Sequence, residues 1–276
     1  MSTSSASFPS PAAAASDEIR GYVRQRYGAI AEEGGDGCGC TASGCCGGPG
    51  PEAGYGEKLG YSAEQLASAP AGSDLGLGCG NPLAIASIRP GETVLDLGSG
   101  AGFDCFLAAR QLAGTGRVIG VDMTPAMIAR ARANAAASGL ATVDFRLGEI
   151  ESLPVESSSV DLILSNCVIN LSPEKPRVFA EAIRVLKPGG RLAIADIVAT
   201  APLPSTIRHK LEAIGACVGG AALLEDLRAW LHASGFERIE IVPRESTRDL
   251  IRQWTDDPAA GDFVVSAFIT AYKSAS

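Results

Sequence analysis

The sequence predicts an α/β fold built on a doubly wound, mostly parallel sheet of seven strands. From about residue 55 onward, short apolar segments alternate with segments of helical spacing. Five strands are expected to begin at Val94, Val118, Val143, Val160 and Leu192. Alternation of this kind is typical of a parallel sheet with helices on both faces. The last alternating segment, residues 263–273, predicts a reversed C-terminal strand at the edge of the sheet.

Helical spacing and helix-stop signals define the elements between these strands. Helices are expected over residues 17–33, 125–138, 174–186, 206–217 and 223–234, with a helical insert over 247–255. The Lys-Pro-Gly-Gly sequence at 187–190 predicts the end of one helix and the start of a strand over 191–198. A further strand is expected over 238–242.

A glycine-rich turn follows the first strand and predicts a cofactor site. The sequence at 93–102 runs from apolar residues through Asp96 into Gly98, Ser99, Gly100 and Gly102. A dinucleotide-binding Gly-x-Gly-x-x-Gly motif would need glycine at position 103, which is Phe103, so that motif is broken. The alternative for Gly102 alone is tight packing of a helix on a strand.

Acidic residues after the second and third strands indicate which cofactor binds. Asp122 ends the second strand, where a carboxylate hydrogen-bonds ribose hydroxyls in doubly wound folds. Glu149 follows the third strand, at the position where S-adenosylmethionine enzymes place an acid near the adenine amine. These features favour S-adenosylmethionine over other nucleotides. The candidate cofactor-binding residues are Asp96, Gly98, Ser99, Gly100, Gly102, Asp122, Met123, Glu149, Ile150 and Asn166.

Composition limits the classes of partner. The chain has 276 residues, a net charge of −8 and no basic patch, which disfavours nucleic acid. Residues 1–15 contain neither a signal-peptide n-region nor a long apolar stretch, so we expect a disordered lead, a cytoplasmic monomer and no membrane partner. We expect an extension over 1–57, comprising that lead, a short helix and a Cys/Gly-rich loop, and a main domain over 58–276 with substrate-side helices and a hairpin at its C-terminal end.

The eight cysteines favour reduced thiols over disulfides in a cytosolic protein. Cys38, Cys40, Cys45 and Cys46 crowd one glycine-rich loop. Their spacing fits a zinc knot less well than paired Cys-x2-Cys motifs do, so a mobile cluster that captures a soft ion is the favoured hypothesis. Cys105 is expected to be a core residue.

Cys167 lies one residue past the fourth predicted strand and is expected to face the cofactor cleft. The alternative is a buried, inert thiol, which is the commoner fate of free cysteine. Cys79 and Cys217 lie far from it in sequence and could converge with it on one soft atom. His209 and His232 have no neighbours that suggest a metal site or a nucleophile and base pair.

The sequence resembles the arsenite methyltransferases. The resemblance covers about residues 55–273 and rests most specifically on the Asn-Cys-Val-Ile-Asn-Leu run at 166–171 and on Cys79 and Cys217. It implies a Rossmann-like methyltransferase fold and thiolates of Cys79, Cys167 and Cys217 as arsenic ligands. It also implies that one cysteine of the 38–46 cluster matches the family's upstream thiol; the alignment does not say which one, and Cys45 and Cys46 are the candidates for arsenic capture. It also implies S-adenosylmethionine as methyl donor and a thiol reductant, glutathione or thioredoxin, as co-substrate. Relatives often carry arginine where this chain has Phe103.

The chemistry of arsenic agrees with this resemblance. Trivalent arsenic is soft, and thiolate sulfur is the soft ligand that proteins possess. The small-molecule substrate is therefore expected to be arsenite or a methylated arsenical, and its methylation a detoxification step. Two alternatives stay open: methylation of a small organic acceptor, with the cysteines as packing residues, and a metalloid-binding module with a degenerate cofactor site.

Overall fold

The structure is a computed structural model that describes residues 11–32, 54–140, 142–208, 210–254 and 259–275. The predicted thiol loop with Cys38, Cys40, Cys45 and Cys46 lies outside these ranges, and the hypotheses about it stay predictions.

One twisted sheet organises the described part of the chain. Its strands are β1 (Thr93–Leu97), β2 (Arg117–Asp122), β3 (Val143–Leu147), β4 (Val160–Asn166), β5 (Leu186–Ala199), β6 (Ala222–Leu223), β7 (Phe236–Arg244) and β8 (Val264–Lys273). The spatial order is β3-β2-β1-β4-β5-β8-β7, and the two-residue β6 pairs with β5. The strands from β3 to β5 are mutually parallel, whereas β8 runs antiparallel to both β5 and β7. The predicted mostly parallel, doubly wound fold is confirmed.

The reversed C-terminal strand β8 does not lie at the edge of the sheet, where the sequence predicts it. The C-terminal β8 lies second from the edge, between β5 and β7, and β7 is outermost. Seven strands form the main path as predicted, and β6 adds an eighth. The burial pattern explains this order: β8 is largely buried, whereas β7 alternates exposed and partly buried residues, as an edge strand covered on one face does.

Helices cover both faces of the sheet. They are α1 (Pro11–Glu32), α2 (Tyr55–Leu59), α3 (Ala63–Ser68), α4 (Leu83–Ala86), α5 (Phe103–Leu112), α6 (Pro125–Ser138), α7 (Lys175–Val185), α8 (Ser205–Arg208), α9 (Leu211–Gly215), α10 (Leu224–Ala233), α11 (Arg248–Ile251) and α12 (Ala260–Phe263), with 3₁₀ turns at Ile169–Leu171 and Glu245–Thr247. All five residues of β1 are buried between two apolar clusters, one on each face. Continuous burial of this kind is typical of a central parallel strand.

The N-terminal helix is longer than the sequence predicts. Helix α1 begins at Pro11, so its first turn occupies residues that were expected to be a disordered lead. Proline is well suited to a first helical turn, because the amide hydrogen that it lacks would have no helical partner there. The helix packs against α6, α9 and the first 3₁₀ turn, and Val23 and Ile30 are buried in these contacts. The expected boundary after residue 57 falls inside α2.

The segment expected to form one helix over 206–217 is divided. It forms the short helices α8 and α9, and the chain leaves helical geometry at Gly215. Cys217 therefore lies in a turn after α9 and not in a helix. Within the described ranges, no helix combines the length and the apolar character needed to cross a bilayer.

Candidate functional site

A cleft opens at the carboxyl ends of β1, β2 and β4, where doubly wound sheets bind their ligands. Its empty volume is about 1040 Å³. Of the predicted cofactor residues, the cleft is lined by Asp96, Gly98, Ser99, Gly100, Asp122, Met123, Ile150 and Asn166. The predicted thiol Cys167 also lines it, and helix α1 contributes Arg20, Val23 and Tyr27.

The glycine-rich turn forms one wall of the cleft through backbone hydrogen bonds. The amides of Gly98 and Ser99 donate to the carbonyl oxygen of Val121 at 2.8 and 3.0 Å. The amide of Gly100 donates to Asp122 Oδ2 at 3.0 Å, and the amide of Thr124 donates to Asp122 Oδ1 at 2.8 Å. Asp122 thus holds the turn in place while its carboxylate lines the cleft.

Glycine is required at position 98 by a close approach. Gly98 has a φ of 68°, and a Cβ atom there would lie 2.3 Å from Cγ2 of Val168. Since Val168 follows Cys167 directly, the cofactor turn abuts the turn that carries this thiol. Gly102 is not among the lining residues, and a Cβ atom there would lie 2.7 Å from both Phe106 and Phe145. The packing alternative is therefore the one that its surroundings support.

Carboxyl groups dominate the electrostatics of the cleft. Burial raises the pKa values of Asp96, Asp104 and Asp122, and Asp96 is raised further by the charges of the other two. A cationic ligand would relieve this repulsion. Ser99 lines the cleft, and its buried Oγ has no hydrogen-bond partner among the described residues. S-adenosylmethionine, with a sulfonium, an ammonium group and ribose hydroxyls, fits this set of groups.

A buried network connects the cleft to the first thiol. Asn166 Nδ2 donates to Asp104 Oδ2 at 3.0 Å and to the carbonyl oxygen of Gly80 at 2.9 Å. Its Oδ1 accepts from the amide of Cys79 at 3.0 Å, and Tyr61 donates from its hydroxyl to Asp104 Oδ1 at 2.7 Å. Sequence reasoning missed Asp104 as a site residue, although an acid in the first turn of a largely apolar helix was a usable signal.

The three predicted thiols lie in one buried cluster. Cys79, Cys167 and Cys217 belong to the same apolar cluster and are 1%, 5% and 3% exposed. Cys217 Sγ donates to the carbonyl oxygen of Cys167 at 2.9 Å, and Cys79 Sγ donates to that of Ala195 at 3.5 Å. The Sγ atoms of Cys79 and Cys167 lie within 4.8 Å of each other. The fold therefore brings these three side chains together.

Two of these cysteines have unusual backbone geometry. Cys167 and Cys217 have φ values of 59° and 62°, in the left-handed region that costs a non-glycine residue free energy. Asn170 ties the two turns together, because its buried Nδ2 lies 3.2 Å from the carbonyl oxygen of Cys217 and 2.9 Å from Asp196 Oδ1. The Cys217 loop also passes very close to Asn170, since a Cβ atom on Gly220 would lie 2.0 Å from its carbonyl oxygen.

Comparison with known proteins identifies the family. Residues 88–241 match a family model described as a methyltransferase domain. An arsenite methyltransferase from Halobacterium salinarum is 51% identical over 265 residues, which cover 94% of this chain and 68% of that protein. The chain belongs to the arsenite methyltransferase family. It is thus an S-adenosylmethionine-dependent methyltransferase.

More distant arsenite methyltransferases match a smaller part of their own length. The mouse protein is 36% identical over 183 residues, which cover 63% of this chain and 47% of that one. The chain thus spans about half of this relative. The chain also superposes on the crystal structure of an arsenic(III) S-adenosylmethionine methyltransferase from Chlamydomonas reinhardtii, with a TM-score of 0.56 and 31% sequence identity. The match covers 81% of this chain and 74% of that one.

A second predicted cofactor residue of this arsenite methyltransferase domain, besides Gly102, does not line the cleft. Glu149 is not among the lining residues, and its carboxylate pairs with Arg24 at 2.5 Å and with Arg20 at 3.7 Å, both on α1. The acid from this segment that does line the cleft is Glu151, which is 5% exposed and accepts from the Ser172 hydroxyl at 2.6 Å. The role predicted for Glu149 in binding adenine stays a prediction.

Burial and mutual hydrogen bonding keep the three clustered thiols of this arsenite methyltransferase protonated in the free protein. Burial raises the pKa of Cys79 to about 11 and that of Cys167 well above its ordinary value. The pKa of Cys217 is raised first by its hydrogen bond with Cys167 and then by burial. Thiols buried in this way resist oxidation and alkylation, because the thiolate is the reactive form.

Proposed function

We propose that this chain transfers the methyl group of S-adenosylmethionine to trivalent arsenic bound by Cys79, Cys167 and Cys217. The observation that carries the proposal is the position of Cys167. Its Sγ atom lies within 4.8 Å of that of Cys79, it belongs to one buried cluster with Cys217, and the same residue lines the cofactor cleft. A thiol-bound atom would therefore lie beside the cofactor.

The thiols can bind arsenite without a general base. Arsenite is As(OH)₃ near neutral pH, and each thiol that replaces a hydroxide gives up its proton to form water. Three thiols therefore yield a neutral, pyramidal As(SR)₃ complex and three waters, with no net release of protons. Their raised pKa values are compatible with this exchange. The described residues near the thiols include no histidine that would act as a base, and none is needed.

The product of this exchange is itself the nucleophile. Bound to three thiolates, arsenic keeps a lone pair on its open face. When bound, S-adenosylmethionine would supply an electrophilic methyl carbon. The arsenic lone pair would form the As–C bond as the sulfonium C–S bond breaks, so that S-adenosylhomocysteine leaves. Arsenic would thereby be oxidised by two electrons, and the thiol reductant proposed below would supply the two electrons that return it to the trivalent state. The close contact of Gly98 with Val168 fixes the cofactor turn against the Cys167 turn. Holding two reactants in line can contribute on the order of 7–11 kcal/mol to lowering a barrier.

The cofactor residues have separable tasks in this proposal. The Asp122 carboxylate binds ribose hydroxyls. It also maintains the glycine turn by accepting hydrogen bonds from the backbone amides of Gly100 and Thr124. Asp96 and Asp104 attract the cationic part of the cofactor, and Met123 and Ile150 provide apolar walls. Helix α1 excludes water from the cleft through Val23 and Tyr27.

We further propose that a thiol reductant, glutathione or thioredoxin, is a co-substrate that keeps the cysteines reduced. Cys45 and Cys46 would capture arsenite and pass it to the buried site. The capture role rests on the sequence, because these residues lie outside the described ranges.

Turnover with arsenite, glutathione and methyl-labelled S-adenosylmethionine tests the proposal, with Cys167→Ser compared against Cys105→Ser. Cys105 is also fully buried, but its thiol donates to Asp96 at 3.2 Å, a bond that a serine hydroxyl can replace. We expect Cys167→Ser to abolish arsenic methylation, because a hydroxyl is a hard and poorly ionised substitute for a thiolate. Cys105→Ser should be much milder. Near wild-type methylation by Cys167→Ser would overturn the proposal.

A further inference from the structure

The carboxylate of Asp196 lies beside the thiols of Cys79 and Cys167, and the proposed arsenic chemistry gives this carboxylate no role. The Sγ atoms of Cys79 and Cys167 and one carboxylate oxygen of Asp196 all lie within 4.8 Å of one another, and all three residues are buried. Asp196 is an acid in the middle of the apolar strand β5, where every neighbour in 190–199 is buried. Sequence reasoning did not include it among the site residues.

The carboxylate of Asp196 has room for one more partner. Its Oδ1 accepts from the amide of Ile197 at 2.8 Å and from Asn170 Nδ2 at 2.9 Å, and its Oδ2 accepts from the amide of Ile169 at 3.0 Å. A carboxylate offers about four lone-pair positions, two on each oxygen. These bonds therefore orient the group and leave one position on Oδ2.

The two soft sulfur donors of Cys79 and Cys167, together with the hard carboxylate oxygen of Asp196, suit a different ion from arsenic. Trivalent arsenic in the proposed complex takes three sulfurs and keeps a lone pair in place of a fourth ligand. Zinc has no such lone pair, prefers tetrahedral coordination, and accepts carboxylate oxygen at ~2.0–2.2 Å together with thiolate at ~2.3 Å. Cadmium, its heavier congener, has the same charge and a stronger preference for sulfur.

We propose that Cys79, Cys167 and Asp196 form a binding site for a divalent thiophilic cation, Zn²⁺ or Cd²⁺, that competes with arsenite. The inference rests on the thiol site of the proposed function and extends it to an inhibitory ligand. Cys217 lies in the same buried cluster, with its Sγ atom 2.9 Å from the carbonyl oxygen of Cys167, and is the candidate for a third sulfur as the fourth ligand.

The charges around the site can accommodate such a complex. Binding through the thiols of Cys79 and Cys167 and the carboxylate releases two thiol protons to solvent and leaves one net negative charge. A Cys217 thiolate as fourth ligand would release a third proton and add a second negative charge. The positive charges of Lys175 and Arg244 act on this group, the first on Asp196 and the second on Cys79. Arg244 Nη1 is buried with no hydrogen-bond partner among the described residues.

The test is a Cd²⁺ titration of the full chain in which Cys38, Cys40, Cys45 and Cys46 are replaced by serine, so that the N-terminal thiols do not bind the probe. Charge-transfer absorption reports thiolate-bound cadmium. We expect one Cd²⁺ per chain, displaced by arsenite in competition. X-ray absorption of the Zn²⁺-loaded protein should show sulfur together with at least one protein oxygen in the first coordination sphere. A shell of sulfur alone, or cadmium that arsenite does not displace, would overturn the inference.

Two matched variants separate a ligand from a structural residue. Asp196→Asn should weaken Cd²⁺ binding by about 10–100-fold and arsenite binding much less. Asp161→Asn is the control, because Asp161 is another aspartate of the sheet but bonds the amide of Thr93 and the ammonium of Lys187 at the opposite end of β1. Equal loss of both ligands in Asp196→Asn would assign Asp196 to holding the turn and would contradict the ligand role.

The titration involves no methyl transfer, so the two proposals can fail separately. Cadmium binding with no methylation of arsenite would count against the proposed function alone. Methylation of arsenite with no competing cadmium site would count against this inference alone.

Discussion

The cofactor cleft and the thiol cluster touch each other, but they are built in different ways. The cleft wall is made by elements that follow one another in the chain. The amides of Gly98 and Ser99 donate to the carbonyl oxygen of Val121, and the amide of Gly100 donates to the side-chain carboxylate of Asp122. The thiol cluster joins three turns from distant parts of the chain: Cys217 bonds a residue 50 positions earlier, and Cys79 bonds one 87 positions later.

Because they are built differently, the cleft and the thiol cluster should respond independently to amino-acid substitutions. The cleft depends on backbone geometry at a few glycines and on one carboxylate that holds the turn. The cluster depends on buried side chains, Asn170 and Asp196, that fix turns with strained backbone. We therefore expect substitutions on one side to leave the binding function of the other largely intact.

The largest expected effect is on the thiol side. Cys217→Ser should lower arsenite methylation on the order of 100-fold or more, because the hard hydroxyl does not replace a soft thiolate. Affinity for S-adenosylmethionine, measured by calorimetry, should stay close to that of the wild type. A parallel loss of cofactor affinity would show that the two regions fold as one unit and would break the comparison.

The reciprocal change is Asp122→Ala in the cleft. Loss of charge-assisted bonds to ribose should cost roughly 1.5–3 kcal/mol, or about 10–100-fold in affinity for S-adenosylmethionine. Arsenite binding, followed by quenching of intrinsic fluorescence, should change little. If calorimetry finds unchanged cofactor affinity, the role of Asp122 in binding ribose is wrong.

Asn170→Ala tests the connection between the two cysteine turns. The substitution removes the amide that reaches both Asp196 and the carbonyl of Cys217, and unpaired buried groups cost ~1–3 kcal/mol. We expect arsenite affinity to fall by about tenfold with cofactor affinity preserved.

The matched control for that variant is Thr93→Val, which removes a buried hydroxyl that accepts from Arg117 at the opposite end of β1. It should lower the free energy of unfolding without changing arsenite affinity. An equal loss of arsenite affinity in both variants would mean that Asn170 acts only through global stability.

The smallest expected effect is a pH dependence of the free energy of unfolding that arises from Asp104, a carboxyl group that lines the cleft. Burial raises the pKa of Asp104 to about 6, above the ordinary value of 3.8. Between these values the folded protein binds more protons than the unfolded chain, so the free energy of unfolding falls as the pH rises through this window. Asp104→Asn should reduce that slope in urea titrations at pH 4, 5, 6 and 7, and the raised pKa values of Asp96, Asp122 and Asp196 should account for the slope that remains. Parallel wild-type and variant curves would contradict the assignment.

Much of the cleft could be predicted because its signals are local. The apolar strand before Gly98 and the acid at the end of β2 lie within one β-turn-α-β unit, so the spacing of a few residues determines their relative positions. The family and the fold followed from the same motifs together with the run at 166–171, and both are confirmed.

The placement of other residues depended on contacts that the local sequence does not encode. Glu149 has the expected position in the chain, but Arg20 and Arg24 of α1 hold its carboxylate away from the cleft. Gly102 has the expected motif, but Phe106 and Phe145 fill the space beside it. Long-range partners decide where a side chain points once its backbone is placed.

By itself, the sequence predicted the alternation of strands and helices, the glycine turn with its carboxylates, and the three thiols that we propose as ligands of a soft atom. Only the tertiary structure decided that Cys79, Cys167 and Cys217 share one buried cluster, and that Asp196 belongs beside two of them. The physical reason is that local patterns follow from backbone geometry and burial periodicity. The meeting of separate turns depends instead on packing and hydrogen bonds between residues far apart in the chain.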